Sequence, residues 1–218
     1  MARPSAAISW SGGKDSCAAY HRARADFNFI AAITMFNDDG TRSRSHGLRP
    51  EILAAQVDRL GLQPITATCS WETYDSAFDR ALGEAAAMGV SHVVFGDILF
   101  DEHRAWAERL SAGRGLTAVE PLWKESTTDL YRAFVASGTR ARIVTVRLSA
   151  LDESFLGRDL ADDLLDTFVA HGVDPCGERG EYHTVVTSCE AFSAPLRVRA
   201  IGRAAVSGCV AEDLVLDE

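Results

Sequence analysis

The sequence predicts an α/β fold, a Rossmann-like parallel sheet with helices on both faces, followed by a smaller C-terminal α+β domain. Three observations predict it. Strand-length apolar runs alternate with helix-patterned segments from Ala6 to Val119, and repeated alternation of this kind implies a parallel sheet with right-handed crossovers. The run Phe29–Phe36 is almost continuously apolar, as suits a strand buried on both faces. A glycine turn at Ser11–Ser16 separates the first strand from the first helix, a recurrent place for an anion in such sheets.

Taken in order, Ala6–Trp10 is the first strand, and residues 15–25 form a helix with Cys17, Ala18 and His21 at helical spacing. After the second strand, Asn37–Gly40 is turn chemistry, and Thr41–His46 resembles a mobile loop. Pro50 opens a helix whose face is Ile52, Leu53, Val57 and Leu60, and Gly61 closes it. Pro64–Thr68 is the third strand. Trp71–Met88 carries the stripe Ala77, Phe78, Ala81, Leu82 and Ala85 and stops at Gly89. His92–Phe95 is the fourth strand, followed by a helix through Ala105–Leu110 and a short strand at Thr117–Val119.

From Pro121 the texture changes, and the division falls near residue 125, giving domains 1–125 and 126–218. Ser126–Ser137 is a helix, Ala141–Val146 a strand, Leu151–Gly157 a loop, and Asp159–His171 an acidic amphipathic helix. Tyr182–Thr187 and Leu196–Ile201 are short strands before a weakly specified end.

Composition narrows the class. A chain of 218 residues that is 47% hydrophobic can bury a sizeable core. Its longest apolar stretches are strand-sized, so no membrane span is expected, and Met1–Ser5 lacks a signal-peptide core, so the expected compartment is the cytoplasm. The net charge of −9 disfavours broad contact with nucleic acid. Five scattered cysteines without a C-x-x-C pair argue against a disulfide framework or a zinc or iron–sulfur site, leaving buried or inert thiols.

The hexapeptide Ser11-Gly12-Gly13-Lys14-Asp15-Ser16 carries the chemistry. Glycines let a phosphate approach the backbone, and the N–H groups of the first helical turn point at it. Ser11 and Ser16 add hydroxyls, and Lys14 adds a charge on what reads as an exposed turn. It is neither a Walker A loop nor G-x-G-x-x-G, because the outer glycines are missing. Phe36, Gly96 and Asp97 end the second and fourth strands, so they would face the same crevice. Asp15 reads either as a first-turn acid serving the helix dipole or as a ligand for Mg²⁺. Asp97 reads as a helix cap or a nucleotide or metal contact.

The hexapeptide resembles the PP-loop of the ATP pyrophosphatases, the adenine nucleotide alpha-hydrolase-like enzymes. Four further stretches resemble one branch of that superfamily, the diphthine–ammonia ligase family: Pro121-Leu122-Trp123, Leu151–Arg158, Gly177–Thr184 and the Gly96-Asp97 strand end. The resemblance implies cleavage of ATP between its α and β phosphates, with Mg²⁺. A carboxylate acceptor, diphthine on elongation factor 2 or a small molecule, is adenylated and then aminated by ammonia. It implies ATP contacts at Ser11, Gly12, Gly13, Lys14, Asp15, Ser16, Phe36, Gly96 and Asp97. Catalytic roles fall to Lys14, Glu178 and Glu181, and acceptor contacts to Glu178, Glu181, Thr184, Ser154 and Arg158.

Glu178 or Glu181 could orient or deprotonate ammonia, or both could be solvated loop acids. Ser154 and Arg158 read equally as loop-fixing residues. His183 reads as peripheral, and His46 could reach the nucleotide from its loop. The chain departs from the family after the fourth strand, where Asp101–Trp106 replaces the usual Tyr-Gln pair and basic residue. That departure bears on the acceptor more than on the nucleotide. Two other classes fit a PP-loop, a tRNA-modifying enzyme and a non-catalytic nucleotide-binding module. The first usually brings cysteine pairs or basic domains, which this sequence lacks.

Overall fold

The computed structural model describes residues 2–206 and 208–217. Strands β1 (Ser5–Ser9), β2 (Asn28–Phe36), β3 (Gln63–Thr68), β4 (His92–Val94) and β5 (Thr117–Val119) form one sheet in the order β3-β2-β1-β4-β5, parallel throughout. The chain builds outward from β1 through β2 to β3, then returns to lay β4 on the other side of β1. Such a reversal opens a crevice beyond the carboxyl ends of the strands. Ala6, Ala7 and Ile8 of β1 have no exposed surface, so both faces of the central strand are covered.

Helices lie on both faces, as the alternation predicts. Helices α3 (Tyr74–Ala87) and α4 (Asp101–Gly113) bury Phe78, Leu82 and Ala107 against Ile33 and Val93. Helices α1 (Lys14–Ala23) and α2 (Pro50–Leu60) bury Cys17, Ile52 and Leu53 against Ile8 and Ala32. The first helix begins and ends slightly earlier than its sequence pattern suggests, because Gly13 is already its N-cap.

The second half contains α5 (Thr127–Ala136), β6 (Arg140–Arg147), a 3-10 turn at Glu153–Phe155, α6 (Asp162–Ala170), β7 (Tyr182–Ser188), β8 (Val198–Val206) and β9 (Cys209–Leu216). Its four strands form an antiparallel sheet in the order β7-β6-β9-β8. The end that the sequence specifies weakly is a hairpin, with Val198 opposite Leu216 and Val206 opposite Cys209. From Arg199 to Ala205 the edge strand β8 is exposed, so it shows no in-out alternation to read.

The larger core crosses residue 125: Trp10 and Leu53 share it with Phe168 and Val186. Gln56, fully buried, links the halves by hydrogen bonds. Its Nε2 donates to the carbonyls of Gly12 at 3.1 Å and Val186 at 2.7 Å, and its Oε1 accepts from Trp10 Nε1 at 3.0 Å. With the Val186 N–H donating to the Gly12 carbonyl at 2.9 Å, β7 is fastened to the turn after β1.

Candidate active site

The turn Ser11–Ser16 leaves β1 at the point where strand order reverses. Gly12 adopts φ +83°, and a Cβ there would overlap Leu53. At the tip of β4, a Cβ on Gly96 would stand 2.9 Å from the main chain of Asp15 and Ser16. Glycine at 96 is therefore what lets the two strand tips touch. Gly13, the N-cap of α1, has no side chain to offer the helix, and Thr184 takes the Lys14 N–H, so the rest of the first turn is an electropositive end of the kind that suits an anion. Ser11 Oγ and Ser16 Oγ stand 3.2 Å apart beside it, and Ser16 Oγ donates to the Gly13 carbonyl at 3.0 Å.

The second half closes over this turn. The Lys14 N–H donates to Thr184 Oγ1 at 3.1 Å, and the Lys14 ammonium bonds Asp15 Oδ2 at 2.8 Å and the Cys176 carbonyl. It also lies 5.2 Å from the centre of the Tyr182 ring. Lys14 is therefore only 5% exposed, which corrects the expectation of an exposed turn. Burial opposes its charge, but Asp15 and, further off, Glu178 outweigh that and raise its pKa. The carboxyl of Glu178 is pushed up to about 8 by burial and by Asp15, with Lys14 opposing and Asp97 adding.

Between the halves lies a cavity of about 520 Å³, whose polar wall includes Ser11, Lys14, Asp97, His103, Glu178 and Thr184. Trp71, Tyr74, Phe95 and Trp106 supply an aromatic side. Asp97 Oδ1 pairs with His103 Nδ1 at 3.1 Å, and that hydrogen bond raises the His103 pKa.

Of the residues singled out in the sequence, Ser11, Lys14, Asp15, Ser16, Gly96, Asp97, Glu178 and Thr184 line one cavity. Gly12 and Gly13 lie beneath it, and a Cβ on Gly13 would collide with the His46 ring. Four others are elsewhere. Phe36 is buried in the core, and Ser154 and Arg158 are exposed on the far loop, where Arg158 pairs with Asp163 at 2.8 Å. Glu181 is buried, and its carboxylate accepts from the N–H groups of Arg179 at 3.0 Å and Asp174 at 3.3 Å. It braces the turn that presents Glu178 and does not line the cavity.

Comparison with known proteins gives two adjoining matches: the diphthamide synthase N-terminal domain over residues 4–118 and the diphthamide synthase C-terminal domain over residues 126–213. The chain belongs to the diphthamide synthase family. Rat and human diphthine–ammonia ligases are each 26% identical to it over 208 residues, covering 84% of this chain and 78% of theirs. The fission yeast diphthine–ammonia ligase is 26% identical over 205 residues, which is 34% of its own length. A structure described as a predicted subunit of tRNA methyltransferase from Methanocaldococcus jannaschii aligns with 85% of this chain and 98% of that one. The two superpose with a TM-score of 0.45 and 14% sequence identity.

Several residues of this diphthamide synthase family site are not evident from sequence reasoning. Asp174 accepts from Cys176 N at 2.8 Å, Glu178 N at 3.4 Å and Thr127 Oγ1 at 2.9 Å, so it shapes the Glu178 turn and ties it to α5. His183, read as peripheral, stacks on His46 at 4.9 Å in the cavity wall, and His46 Nδ1 meets the Thr184 carbonyl at 2.7 Å. Burial, with the neighbouring His183, lowers His46 to about 3, and burial, with Lys14, lowers His183 to about 4. His103 falls in the segment that departs from the family pattern, which is the one sequence signal that could have found it. Among the described residues no helix is long and apolar enough to cross a membrane.

Proposed function

We propose that this protein is an AMP-forming, ATP-dependent amide ligase that uses ammonia and a carboxylate acceptor, with diphthine or a chemically related carboxylate as the acceptor. The observation that carries the reading is the contact of Lys14 with the turn bearing Glu178, which joins a phosphate-binding turn to an acid of high proton affinity.

Unactivated carboxylates resist nucleophiles. In the first step an acceptor oxygen attacks the α phosphorus, the bond from that phosphorus to the bridging oxygen breaks, and pyrophosphate leaves. Ammonia then attacks the acyl carbon, the bond to the AMP oxygen breaks, and the nitrogen sheds a proton. The chain's own part is to position groups and to balance charge. Lys14, the first turn of α1 and the Ser11 and Ser16 hydroxyls suit triphosphate oxygens, and a cavity of about 520 Å³ is of nucleotide size. Asp15 and Asp97 offer hard carboxylate oxygens that fit Mg²⁺, which when bound offsets phosphate charge. Glu178, with a proton affinity close to that of an amine, suits the proton shed by ammonia. Asp174 and Glu181 hold its turn in place.

The test is turnover with ATP, ammonium and acceptor, using unmodified and diphthine-bearing elongation factor 2 and a panel of small carboxylates. AMP, pyrophosphate and amide in equal amounts are expected. ADP and orthophosphate as main products would overturn the reading.

A further inference from the structure

Outside the cavity, a second group of side chains joins the two halves. Cys17 and His21 are four residues apart on α1, so they project from one face of the helix. Cys189 follows the end of β7 directly. Cys17 Sγ, Cys189 Sγ and a ring nitrogen of His21 all lie within 4.8 Å of one another. Both cysteines are free and buried, and His21 Nε2 is buried with no hydrogen-bond partner among the described residues.

We propose that Cys17, His21 and Cys189 form a binding site for a soft divalent cation of the zinc class, bridging α1 and the end of β7. Two thiolates and an imidazole are the donors such ions prefer, and three protein ligands leave a fourth position for water or another ligand. A tetrahedral ion with bonds of about 2.0–2.3 Å holds its ligand atoms roughly 3.3–3.8 Å apart, so closure needs inward movement on the order of 1 Å. Cys17 is the third residue after Lys14, and β7 also carries Thr184, so the ion would pin the two elements that clasp the phosphate-binding turn.

The surroundings are consistent with metal uptake. The Arg24 guanidinium is 3.4 Å from His21 Nδ1, and Nε2 is the ring nitrogen without a partner among the described residues. On binding, the two thiol protons leave to solvent and the imidazole carries its remaining proton on Nδ1. Arg24 then gives up that long contact and keeps its pairing with Glu190 at 3.2 Å. This inference does not depend on the ligase reading.

The experiment is titration of the chelator-treated, phosphine-reduced full chain with Co²⁺, read by absorbance. One equivalent should produce a thiolate-to-cobalt charge-transfer band with tetrahedral d–d bands, and Zn²⁺ should abolish both by displacement. C17S and C189S should each lose the charge-transfer band while circular dichroism shows them folded. Because Cys17 is packed in the core, His21→Ala serves as a second variant and should lose saturation at one equivalent. Absence of the band in the reduced wild-type chain would overturn the proposal, as would its persistence in folded C189S. A Cys17–Cys189 disulfide that forms in air while the reduced chain takes up no Co²⁺ would overturn it too.

Discussion

The main-chain N–H of Lys14 donates to the hydroxyl of Thr184 at 3.1 Å, joining the first turn of α1 to a strand from the other half of the chain. Thr184 has 1% of its surface exposed, so no water can take its place. Thr184→Val keeps the shape and removes the acceptor, leaving a buried N–H unpaired at a cost of about 1–3 kcal/mol. Chemical denaturation should show that loss, and the KM for ATP should rise because the turn is no longer fixed. Thr184→Ser should recover most of both. A valine variant with unchanged stability and ATP use would mean that the bond contributes nothing.

Lys14 holds structure together as well as facing the cavity. Its ammonium neutralises Asp15 in a setting where the lysine side chain is 7% and the aspartate side chain 25% exposed. Lys14→Met should abolish ATP-dependent turnover and also destabilise the chain by about 2 kcal/mol or more. The figure falls short of that for a fully buried pair because Asp15 keeps some contact with solvent. A variant that loses turnover at wild-type stability would restore the exposed-turn picture.

The first sheet is legible from its chemistry. A continuously apolar β2, the stripe on α3 and the glycine turn before α1 each reflect local spacing, which a sequence displays directly. The environment of Lys14 is not legible, since Cys176, Tyr182 and Thr184 come from the far end of the chain. Glu178 and Glu181 look alike in sequence, both beside glycine, and only the fold separates one that lines the cavity from one that braces its turn. The pairing of Cys17 with Cys189 was hidden for the same reason. A search for closely spaced cysteines cannot find side chains that α1 and the residue after β7 bring together from opposite halves.

Glu178 should govern the pH dependence of amide formation. Its pKa is about 8, raised by burial and by Asp15, so the carboxylate form grows as pH rises through that value. With the concentration of unprotonated ammonia held constant, amide formation at saturating ATP should increase between pH 7 and 9 with an inflection near 8. Glu178→Gln should remove the inflection and most of the rate while ATP affinity stays near wild type. Glu181→Gln should lower stability and retain the inflection, because its carboxylate serves the turn. Equal loss of ATP binding in Glu178→Gln would assign this acid to the nucleotide.

His46 and His183 should make stability fall in mild acid. Burial lowers both, to about 3 and about 4, whereas an unfolded histidine titrates near 6.5. Between those values the unfolded chain binds protons that the folded chain does not, so stability rises with pH and is lost as pH falls below about 6.5. At pH 5 each histidine should cost at most about 2 kcal/mol, because both are half-buried in the cavity wall. Denaturation midpoints between pH 7 and 5 should drop in the wild type and drop much less in His46→Asn/His183→Asn. Parallel curves for the two proteins would show that these rings already meet solvent.

Cys176 separates amide ligation from the alternative of a tRNA-modifying enzyme that thiolates a base by sulfur transfer, because it is the one described cysteine that lines the cavity. A thiol that carries sulfur or forms a covalent adduct must ionise readily and be reached by its substrate. Cys176 is 4% exposed, and its Sγ lies 3.4 Å from the Thr127 carbonyl, to which it donates. Burial pushes its pKa well above the ordinary thiol value, and Lys14 only partly offsets that. Its carbonyl, which any residue would supply, is what receives the Lys14 ammonium. Cys176→Ser should therefore keep most ATP-dependent amide formation and cost about 1 kcal/mol of stability for the changed packing. Turnover abolished in a folded Cys176→Ser protein would make the thiol a reactant and remove ammonia from the scheme.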